Sequence, residues 1–343
     1  MKIFVNAYLE NNLGDDLFMD ILVNRYPNHE FYALTNCYET NNNNVHLIKN
    51  KYLIKIIRKF NLKPLVANKL DMAITIGGSV FMETNSKHNF SLGSNPYYIL
   101  GSNFGPYKTK EYFNNAHEFF KSAEDVCFRE KYSYNLFSDL SNVRCASDII
   151  FSLDVSNVRS TNNKKVVFSI ISCRDKMNST YTENYEKAII NLAKFFVKKG
   201  YEICFMSFCK LEHDEEAIEN ILTKCDEGVK EKVTTYYYRG NRKEAIEILA
   251  DSQIIIGGRF HANILGMVLG KTVIPMMYSD KTKNVLEDMK YEGKIIDIRN
   301  LQDFDASSII EEKDLQYKQD ISFQVKDAQN HFYKLDQILK KEY

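Results

Sequence analysis

Short runs of β-branched and aromatic residues alternate with longer stretches of helical periodicity along most of this chain. In the first half this alternation predicts helices over residues 16–24 and 110–122, and strands over residues 3–5, 30–33, 72–76, 97–100 and 125–129. Strands that alternate with helices are typical of βαβ units, in which neighbouring strands run parallel. The pattern therefore predicts an α/β fold built on parallel sheets.

The same alternation starts again in the second half. It predicts helices over residues 184–199, 214–225 and 243–250, and strands over residues 165–171, 202–207, 233–237, 254–256 and 272–276. A chain of 343 residues is long enough for two cores. We predict two doubly wound, Rossmann-like domains facing a cleft, over residues 1–155 and 165–326, with a polar linker over 156–164 and a terminal helix over 327–343.

Composition excludes several classes of function. Lys+Arg and Asp+Glu balance at 45 each, so net charge does not favour nucleic acid as a partner. No apolar run approaches the length of a membrane span, and the N-terminal apolar stretch is too short for a signal peptide. The seven cysteines form no CxxC pair and are expected to be reduced thiols of a cytoplasmic protein. Histidine spacing typical of a metal site is absent, so we expect no metal.

Residues 254–263 are the most informative segment for function. An isoleucine triplet runs into two glycines, followed at once by Arg259 and His261 and a helix-compatible run. This order predicts a strand, a tight turn and a helix start, where unpaired amides favour an anion. Arg259 would add a cation and His261 a proton carrier. The structural alternative is an arginine that caps carbonyl groups and a histidine of the core.

Three glycine-bearing turns follow strands of the first half, and the third spans residues 101–106. Gly14 stands between Asn12 and the pair Asp15 and Asp16, where helix capping is an equally good explanation. A second turn contains Gly77, Gly78 and Ser79, and its glycines would let the backbone approach a ligand.

Cations also follow predicted strands. Arg129 would either face the predicted cleft or pair with Glu130 on the surface. Arg174 would likewise either face the cleft or pair with Asp175. Lys281 would neutralise a phosphate or remain solvated.

Taken in order, these turns resemble motifs of the polysaccharide pyruvyl transferase family. The similarity spans about residues 1 to 290. The matching motifs are residues 12–16, 77–79, 101–106, 129–130, 147–148, 169–174, 207–208 with Asp214, and 258–261. Four single residues after the last motif also match, namely Gly270, Pro275, Tyr278 and Lys281. The chain departs from the family at Ser79, where a third glycine is common, at Phe260, where leucine is usual, and near Tyr8, where a glycine is expected.

The resemblance implies a GT-B-like fold and transfer of the carboxyvinyl group of phosphoenolpyruvate to two hydroxyls of one sugar, with release of phosphate. It implies His261 as the acid that protonates the donor, with Asp15 or Asp16 as a base. The donor site would contain Arg259, Arg174, Lys281, Gly258 and Ser207. The acceptor site would contain Asn12, Gly14, Gly77, Gly78, Ser79 and Arg129. Phosphoenolpyruvate is a co-substrate here, and no cofactor is expected.

Two other classes of function remain open at this point. One is a GT-B glycosyltransferase that uses a nucleotide-sugar, since a two-domain cleft with a helix-start arginine and lysine can hold a diphosphate. The other is a scaffold without activity, which has no need of Arg259 and His261 at a glycine turn. The acceptor is either a sugar nucleotide or a lipid-linked saccharide, and a lipid-linked one would bring the protein into peripheral contact with the inner membrane face. The oligomeric state is not readable from the sequence.

Overall fold

The structure is a computed structural model that describes residues 1–60, 62–84, 90–161, 163–174, 179–278, 280–301 and 304–340. The chain divides into two compact units. The first unit contains Met1–Glu10, Asp15–Ser152 and Ser322–Tyr343, and the second contains Asn11–Gly14 and Leu153–Ile321. In the described part of the chain, no helix combines the length and apolar character needed to cross a membrane.

The first unit is built on a seven-stranded sheet in which every pairing is parallel. Its strands are β1 (Lys2–Asn6), β2 (Glu30–Leu34), β3 (Val45–Ile48), β4 (Met72–Ile76), β5 (Tyr97–Ser102), β6 (Asp125–Phe128) and β7 (Val143–Cys145). Their spatial order is β3-β2-β1-β4-β5-β6-β7. The helices are α1 (Leu13–Arg25), α2 (Lys51–Lys59), α3 (Lys63–Ala67), α4 (Lys110–Lys121), α5 (Lys131–Leu136), α13 (Ser322–Ala328) and α14 (Tyr333–Leu339).

The second unit repeats the plan with a six-stranded parallel sheet. Its strands are β8 (Lys165–Ser169), β9 (Glu202–Ser207), β10 (Val233–Tyr237), β11 (Ile254–Gly257), β12 (Thr272–Met277) and β13 (Ile296–Asp297), in the order β10-β9-β8-β11-β12-β13. The helices are α6 (Ser179–Lys198), α7 (Asp214–Lys224), α8 (Glu227–Lys230), α9 (Arg242–Ala250), α10 (Phe260–Val268), α11 (Asp280–Asp288) and α12 (Ala306–Ile309).

Strand order places a switch point in the middle of each sheet. In the first unit the chain builds outward from β1 to β2 and β3, then returns to β4 on the other side of β1. In the second unit it builds from β8 to β9 and β10, then returns to β11. Ligands of open α/β sheets bind beyond the carboxyl ends of the strands at such switch points, because the loops diverge there. The segments that follow β1, β4, β8 and β11 contain most of the predicted site residues.

The prediction of two doubly wound parallel sheets is confirmed. The edge strands β3, β7 and β13 were not predicted, because they are two to four residues long and lack a clear apolar run. Residues 11–14 group with the second unit instead of the first, as do residues 153–164 around the predicted linker. Within that linker, residue 162 lies outside the described residues.

The C-terminal segment differs from the single predicted helix over 327–343. It begins at Ser322 and consists of α13 and α14 with a 3₁₀ turn, Gln329–Phe332, between them. It belongs to the first unit. Arg25 holds Asp336 through Nε at 3.0 Å, and Asp327 accepts from the amide and hydroxyl of Ser147 at 2.7 and 2.9 Å. These contacts attach the end of the chain to the unit in which it began.

His331 is completely buried in this attachment. Its Nε2 lies 2.8 Å from the carbonyl oxygen of Ser147. Burial, together with the charge of Arg144, lowers the pKa of His331 to about 3. The unfolded chain takes up a proton near pH 6.5 while the folded chain stays neutral, so stability is fully present above pH 6.5 and falls as pH drops toward 3.

We expect the free energy of unfolding to be lower at pH 5 than at pH 7 by about 2 kcal/mol from this group alone. Urea unfolding of the parent chain and of His331→Gln at both pH values measures this contribution, because the variant lacks the titrating group. Position 46 is exposed, so His46→Gln serves as the control and should keep the pH dependence of the parent. Equal pH dependence in the parent and His331→Gln would contradict the assignment.

Candidate functional site

The diglycine at the end of β11 allows tight packing against the end of β8. A Cβ on Gly258 would lie 2.5 Å from the carbonyl oxygen of Ser169, so that only glycine fits. The Gly258 amide donates to this carbonyl at 3.0 Å, and the Arg259 amide donates to the Ser169 hydroxyl at 2.9 Å. The sequence predicted amides open to an anion, but these two are occupied by Ser169. Their role is to fix the turn that starts α10.

Arg259 is buried beside two carboxylates. Its Nε donates to Asp214 at 3.0 Å, its Nη2 makes a second, shorter bond to the same carboxylate, and its Nη1 donates to Glu212 at 2.6 Å. Burial alone would lower the pKa of Arg259, but the charges of Asp214 and Glu212 outweigh it and raise the pKa above its usual value. Its positive charge is therefore neutralised within the protein. This geometry fits a residue that positions the start of α10. The contact of Arg259 with phosphoenolpyruvate stays a prediction.

Asp214 connects this arginine to the loop after β9. Besides Arg259, its carboxylate accepts the amides of Phe208 and Cys209 at 3.0 and 2.9 Å. The carbonyl of Phe208 in turn accepts the amide of Leu13 at 3.1 Å, and Asn12 forms an antiparallel bridge with Cys209. One buried ion pair thus holds the start of α10, the loop after β9 and the segment before α1. This explains why residues 11–14 group with the second unit.

His261 lies in the first turn of α10, against Gly14. A Cβ on Gly14 would be 1.8 Å from Nδ1 of the imidazole and 2.2 Å from its Cγ. The ring also packs edge-on against Phe260, with centroids 5.1 Å apart. The sequence predicted Gly14 as part of an acceptor site, whereas the structure shows that its missing side chain makes room for His261. Close packing on two sides restricts the orientations open to the imidazole.

The remaining predicted donor residues have different surroundings. Ser207 is completely buried, and its hydroxyl accepts the amide of Tyr238 at 3.1 Å, so it supports the backbone. Lys281 lies in the first turn of α11 with its Nζ 5.1 Å from the centroid of the Phe260 ring. Since Phe260 also contacts His261, the structure brings Lys281 and His261 to the same aromatic ring.

Arg174 is exposed just beyond β8 and lines a cavity of about 400 Å³ in the second unit. The cavity lies between α6, α7 and residues 171–174, and other lining residues include Tyr185, His213 and Lys224. His213 and Lys224 contact Glu216 and Glu186 respectively, so basic and acidic side chains both line the cavity. Asp175, the partner that the sequence offered for Arg174, lies outside the described residues.

The glycine turn of the first unit packs against the start of α1. Gly77 has φ +98°, a left-handed conformation that favours glycine, and a Cβ there would collide with Phe18. A Cβ on Gly78 would lie 3.1 Å from the carboxylate of Asp15. Asp15 is 8% exposed and Asp16 is fully buried. The turn and Asp15 are thus neighbours, and Asp15 is the more accessible of the two predicted bases.

Arg129 is buried and pairs with Asp148 instead of Glu130. Its Nη1 lies 2.9 Å from the Asp148 carboxylate, and neither side chain has exposed surface. Its Nη2 donates at 2.6 Å to the side-chain oxygen of Asn103, which also accepts from the Ser79 hydroxyl at 3.2 Å. Arg129 therefore orients the turn at Ser79 through Asn103. Glu130 caps α5.

Both buried arginines have partners that sequence reasoning did not assign. Glu212 and Asp214 lie 47 and 45 positions from Arg259 in the chain, and no local pattern reveals such a pair. Asp214 and Asp148 were noted only within the resemblance, and Asn103 only inside a glycine-bearing turn. Among the described residues, no three His, Cys, Asp or Glu side chains are grouped to hold a metal ion.

Comparison with protein-family models gives one assignment. A model described as Polysaccharide pyruvyl transferase matches residues 12–280. Among curated proteins, the chain is 22% identical over 261 residues to the amylovoran biosynthesis protein AmsJ of Erwinia amylovora. The alignment covers 68% of this chain and 63% of AmsJ, so the chain spans less than two thirds of that relative.

Comparison with solved structures concerns the fold. The HepE protein of Anabaena, solved in complex with UDP and glucose, has a TM-score of 0.58 and 11% identity, covering 99% of this chain and 98% of HepE. The UDP-GlcNAc 2-epimerase of Methanocaldococcus jannaschii, solved with UDP-GlcNAc and UDP, has a TM-score of 0.65 and 9% identity, covering 99% of each chain. These likenesses confirm the predicted GT-B-like class.

Replacing Gly14 by alanine tests its packing against His261. Alanine normally stabilises a helix relative to glycine by about 1 kcal/mol. Here the added Cβ collides with the imidazole, so we expect Gly14→Ala to lower the free energy of unfolding by about 1–3 kcal/mol. Gly228→Ala in α8 is the control, because a Cβ there meets only a carboxylate oxygen at 3.8 Å. Urea unfolding should show Gly228→Ala as neutral or stabilising.

The double variant Gly14→Ala/His261→Ala should recover most of the lost stability, since the colliding ring is removed. If Gly14→Ala costs as much in the His261→Ala background as alone, the proposed contact is wrong.

The Arg259–Asp214 pair should be strongly coupled in stability. Removing one partner leaves a buried charge, so Arg259→Met and Asp214→Leu should each cost about 3–5 kcal/mol. The double variant should cost clearly less than the sum, with a coupling of more than about 1.5 kcal/mol by urea unfolding. The exposed pair Lys243 and Glu247 is the control and should give about 0.5 kcal/mol or less. Additive effects at Arg259 and Asp214 would contradict the pairing.

Proposed function

We propose that this chain, which belongs to the polysaccharide pyruvyl transferase family, transfers the carboxyvinyl group of phosphoenolpyruvate to a sugar of a surface-polysaccharide precursor. The family match and the relative AmsJ support a role in polysaccharide biosynthesis. In the proposed reaction, two hydroxyls of one sugar add to C2 of the donor. The product is a cyclic ketal with a methyl group, and inorganic phosphate leaves.

The observation that carries the proposal is the setting of His261. C2 of phosphoenolpyruvate becomes electrophilic only when C3 gains a proton, which requires a positioned acid. His261 is in the first turn of α10, packed against Gly14 and Phe260, within the region that the family model matches. A histidine held on two sides by packing, in a turn fixed by the buried Arg259, suits that role.

The donor also carries a carboxylate and a phosphate, which require cations. Arg259 is neutralised by Glu212 and Asp214, so we assign it to positioning the turn before His261. Lys281, beside Phe260, and Arg174, at the cavity beyond β8, are the cations proposed to meet the donor. The proposal thus keeps two of the three cations suggested by the sequence as ligands.

The acceptor hydroxyls must lose protons as they add to C2. One proton replaces the one that the acid gave to C3, and the other leaves with phosphate. Asp15 is the proposed base, because it lies beside Gly78 in the glycine turn and retains some exposed surface. Asp16 is fully buried and is better suited to supporting α1.

Activity is tested by incubating the protein with phosphoenolpyruvate and a panel of sugar nucleotides and lipid-linked sugars. We expect phosphate release together with a pyruvyl mass gain on one acceptor. His261→Gln should lower kcat by at least about 100-fold, the usual contribution of a general acid. His117→Gln, a histidine of the first unit paired with Asp139, is the matched control and should retain the rate of the parent.

Binding separates this reaction from nucleotide-sugar transfer. Phosphoenolpyruvate should raise the melting temperature of the protein, since a ligand that binds only the folded state stabilises it by an amount that grows with ligand concentration and affinity. Stabilisation by UDP or GDP without any effect of phosphoenolpyruvate would favour a glycosyltransferase. Full activity of His261→Gln would show that His261 is not the general acid.

A further inference from the structure

Helix α2 of the first unit exposes large apolar side chains. Tyr52 is 81% exposed and Phe60, directly after the helix, is 63% exposed. Leu53 and Ile56 of the same helix are also exposed, as is Leu65 in α3. Among the side chains of α2 that the structure describes, Ile54 and Ile57 are the two buried in the core. Exposed apolar residues are common singly, but a cluster on one short segment marks an interaction surface.

The helix separates three kinds of side chain around its axis. At 3.6 residues per turn, Tyr52, Leu53, Ile56 and Phe60 share an arc of about 100°. The buried Ile54 and Ile57 lie on one side of that arc. Lys51, Lys55 and Lys59 lie on its other side and are exposed. A core helix needs only the buried face, and the apolar arc stays exposed to solvent among the residues of the first unit that the structure describes.

The charge of this region contrasts with that of the whole chain. Residues 49–69 contain six lysines and Arg58, with no aspartate or glutamate, although the protein as a whole is neutral. Lys49 contacts Glu39 and Lys63 donates to Asn6 at 2.8 Å. Lys51, Lys55, Lys59 and Lys69 are exposed. The local positive charge would attract an anionic partner.

An anionic lipid surface matches both properties at once. It offers negative headgroups and, a few ångströms deeper, an apolar layer. Lysine side chains can reach headgroups while their stems and the neighbouring apolar side chains enter that layer. An acidic protein would complement the lysines but would have to present its own apolar groove beside them. The side-by-side arcs of α2 therefore favour a membrane.

We propose that α2 and Phe60 form a peripheral docking surface for anionic phospholipid. The exposed apolar arc enters the interface and the basic arc contacts the headgroups, with the helix lying in the plane of the surface. α2 follows the carboxyl end of β3, and Lys63 in the next helix bonds to Asn6 at the carboxyl end of β1. Docking here places the membrane near the carboxyl ends of the strands of this sheet, where the glycine turn at residues 77–79 also lies. Use of a lipid-linked acceptor is a consequence that rests on the proposed function, whereas docking itself does not.

Co-sedimentation of the full chain with vesicles tests the docking. We expect binding to vesicles of phosphatidylglycerol mixed with phosphatidylcholine, weakening as sodium chloride is added. Vesicles of phosphatidylcholine alone should bind far less. Binding that is equal on both vesicle types, or absent on both at low salt, would overturn the proposal.

Paired variants separate the two arcs. Lys55→Gln/Lys59→Gln should weaken binding to the anionic vesicles about 30-fold, given the usual contribution of a lysine near such a surface. Ile56→Ser/Phe60→Ser should weaken it at least about tenfold through lost apolar burial. Lys187→Gln/Lys243→Gln, two exposed lysines of the second unit, are the control and should bind as the parent does. Unchanged binding in either test pair would contradict docking through α2.

Two further measurements test the variants for loss of folding and the parent for self-association. Melting temperatures of all variants should match that of the parent, because the substituted side chains are exposed. Light scattering tests whether a second copy of the chain covers α2, and a parent dimer that Ile56→Ser/Phe60→Ser dissociates would overturn the membrane assignment. None of these experiments uses phosphoenolpyruvate, so their failure is distinguishable from failure of the proposed transfer reaction.

Discussion

The buried ion pair between Arg259 and Asp214 is the interaction on which the second unit's candidate site depends. Two charges removed from water are tolerable only when each is paired and hydrogen-bonded. Here Asp214 also accepts two backbone amides, and Arg259 also reaches Glu212. The start of α10 is thereby tied to the loop after β9, and through Phe208 to the segment before α1. This arrangement fixes the position of His261 in the first turn of α10.

Buried arginines play similar parts in both units. Arg129 pairs with Asp148 and orients Asn103, which in turn accepts from Ser79 in the glycine turn. In each unit a cation that follows a strand end is used to hold a loop and is compensated inside the protein. The side chains that contact a ligand would then be other residues of these loops, which the buried arginines hold in place. In the proposed reaction these include His261 and Lys281 of the second unit.

Glycines at the two switch points have specific steric reasons. Gly258 approaches the Ser169 carbonyl, Gly77 adopts a left-handed conformation beside Phe18, and Gly14 leaves space for the His261 ring. The sequence identified all three as special positions, because glycines next to strand ends are unusual enough to notice. The sequence predicted them as ligand contacts, and the structure adds a steric reason for each within the protein. A glycine reveals a close approach but not the identity of the approaching group.

The sequence alone determined the fold class and the strand ends at which the candidate site residues lie. Alternating apolar runs specify parallel strands, and parallel strands deliver their following loops to one edge, so residues 12–16, 77–79 and 258–261 had to lie at strand ends. The tertiary structure decided which charges are available. Whether an arginine is available to a ligand depends on whether a carboxylate is buried beside it. Asp214 lies 45 positions from Arg259, so the spacing of the residues in the sequence could not predict that contact. The sequence likewise could not predict the exposed apolar face of α2. Periodicity shows where apolar residues fall on a helix, but only the packing of the other elements decides whether they are buried.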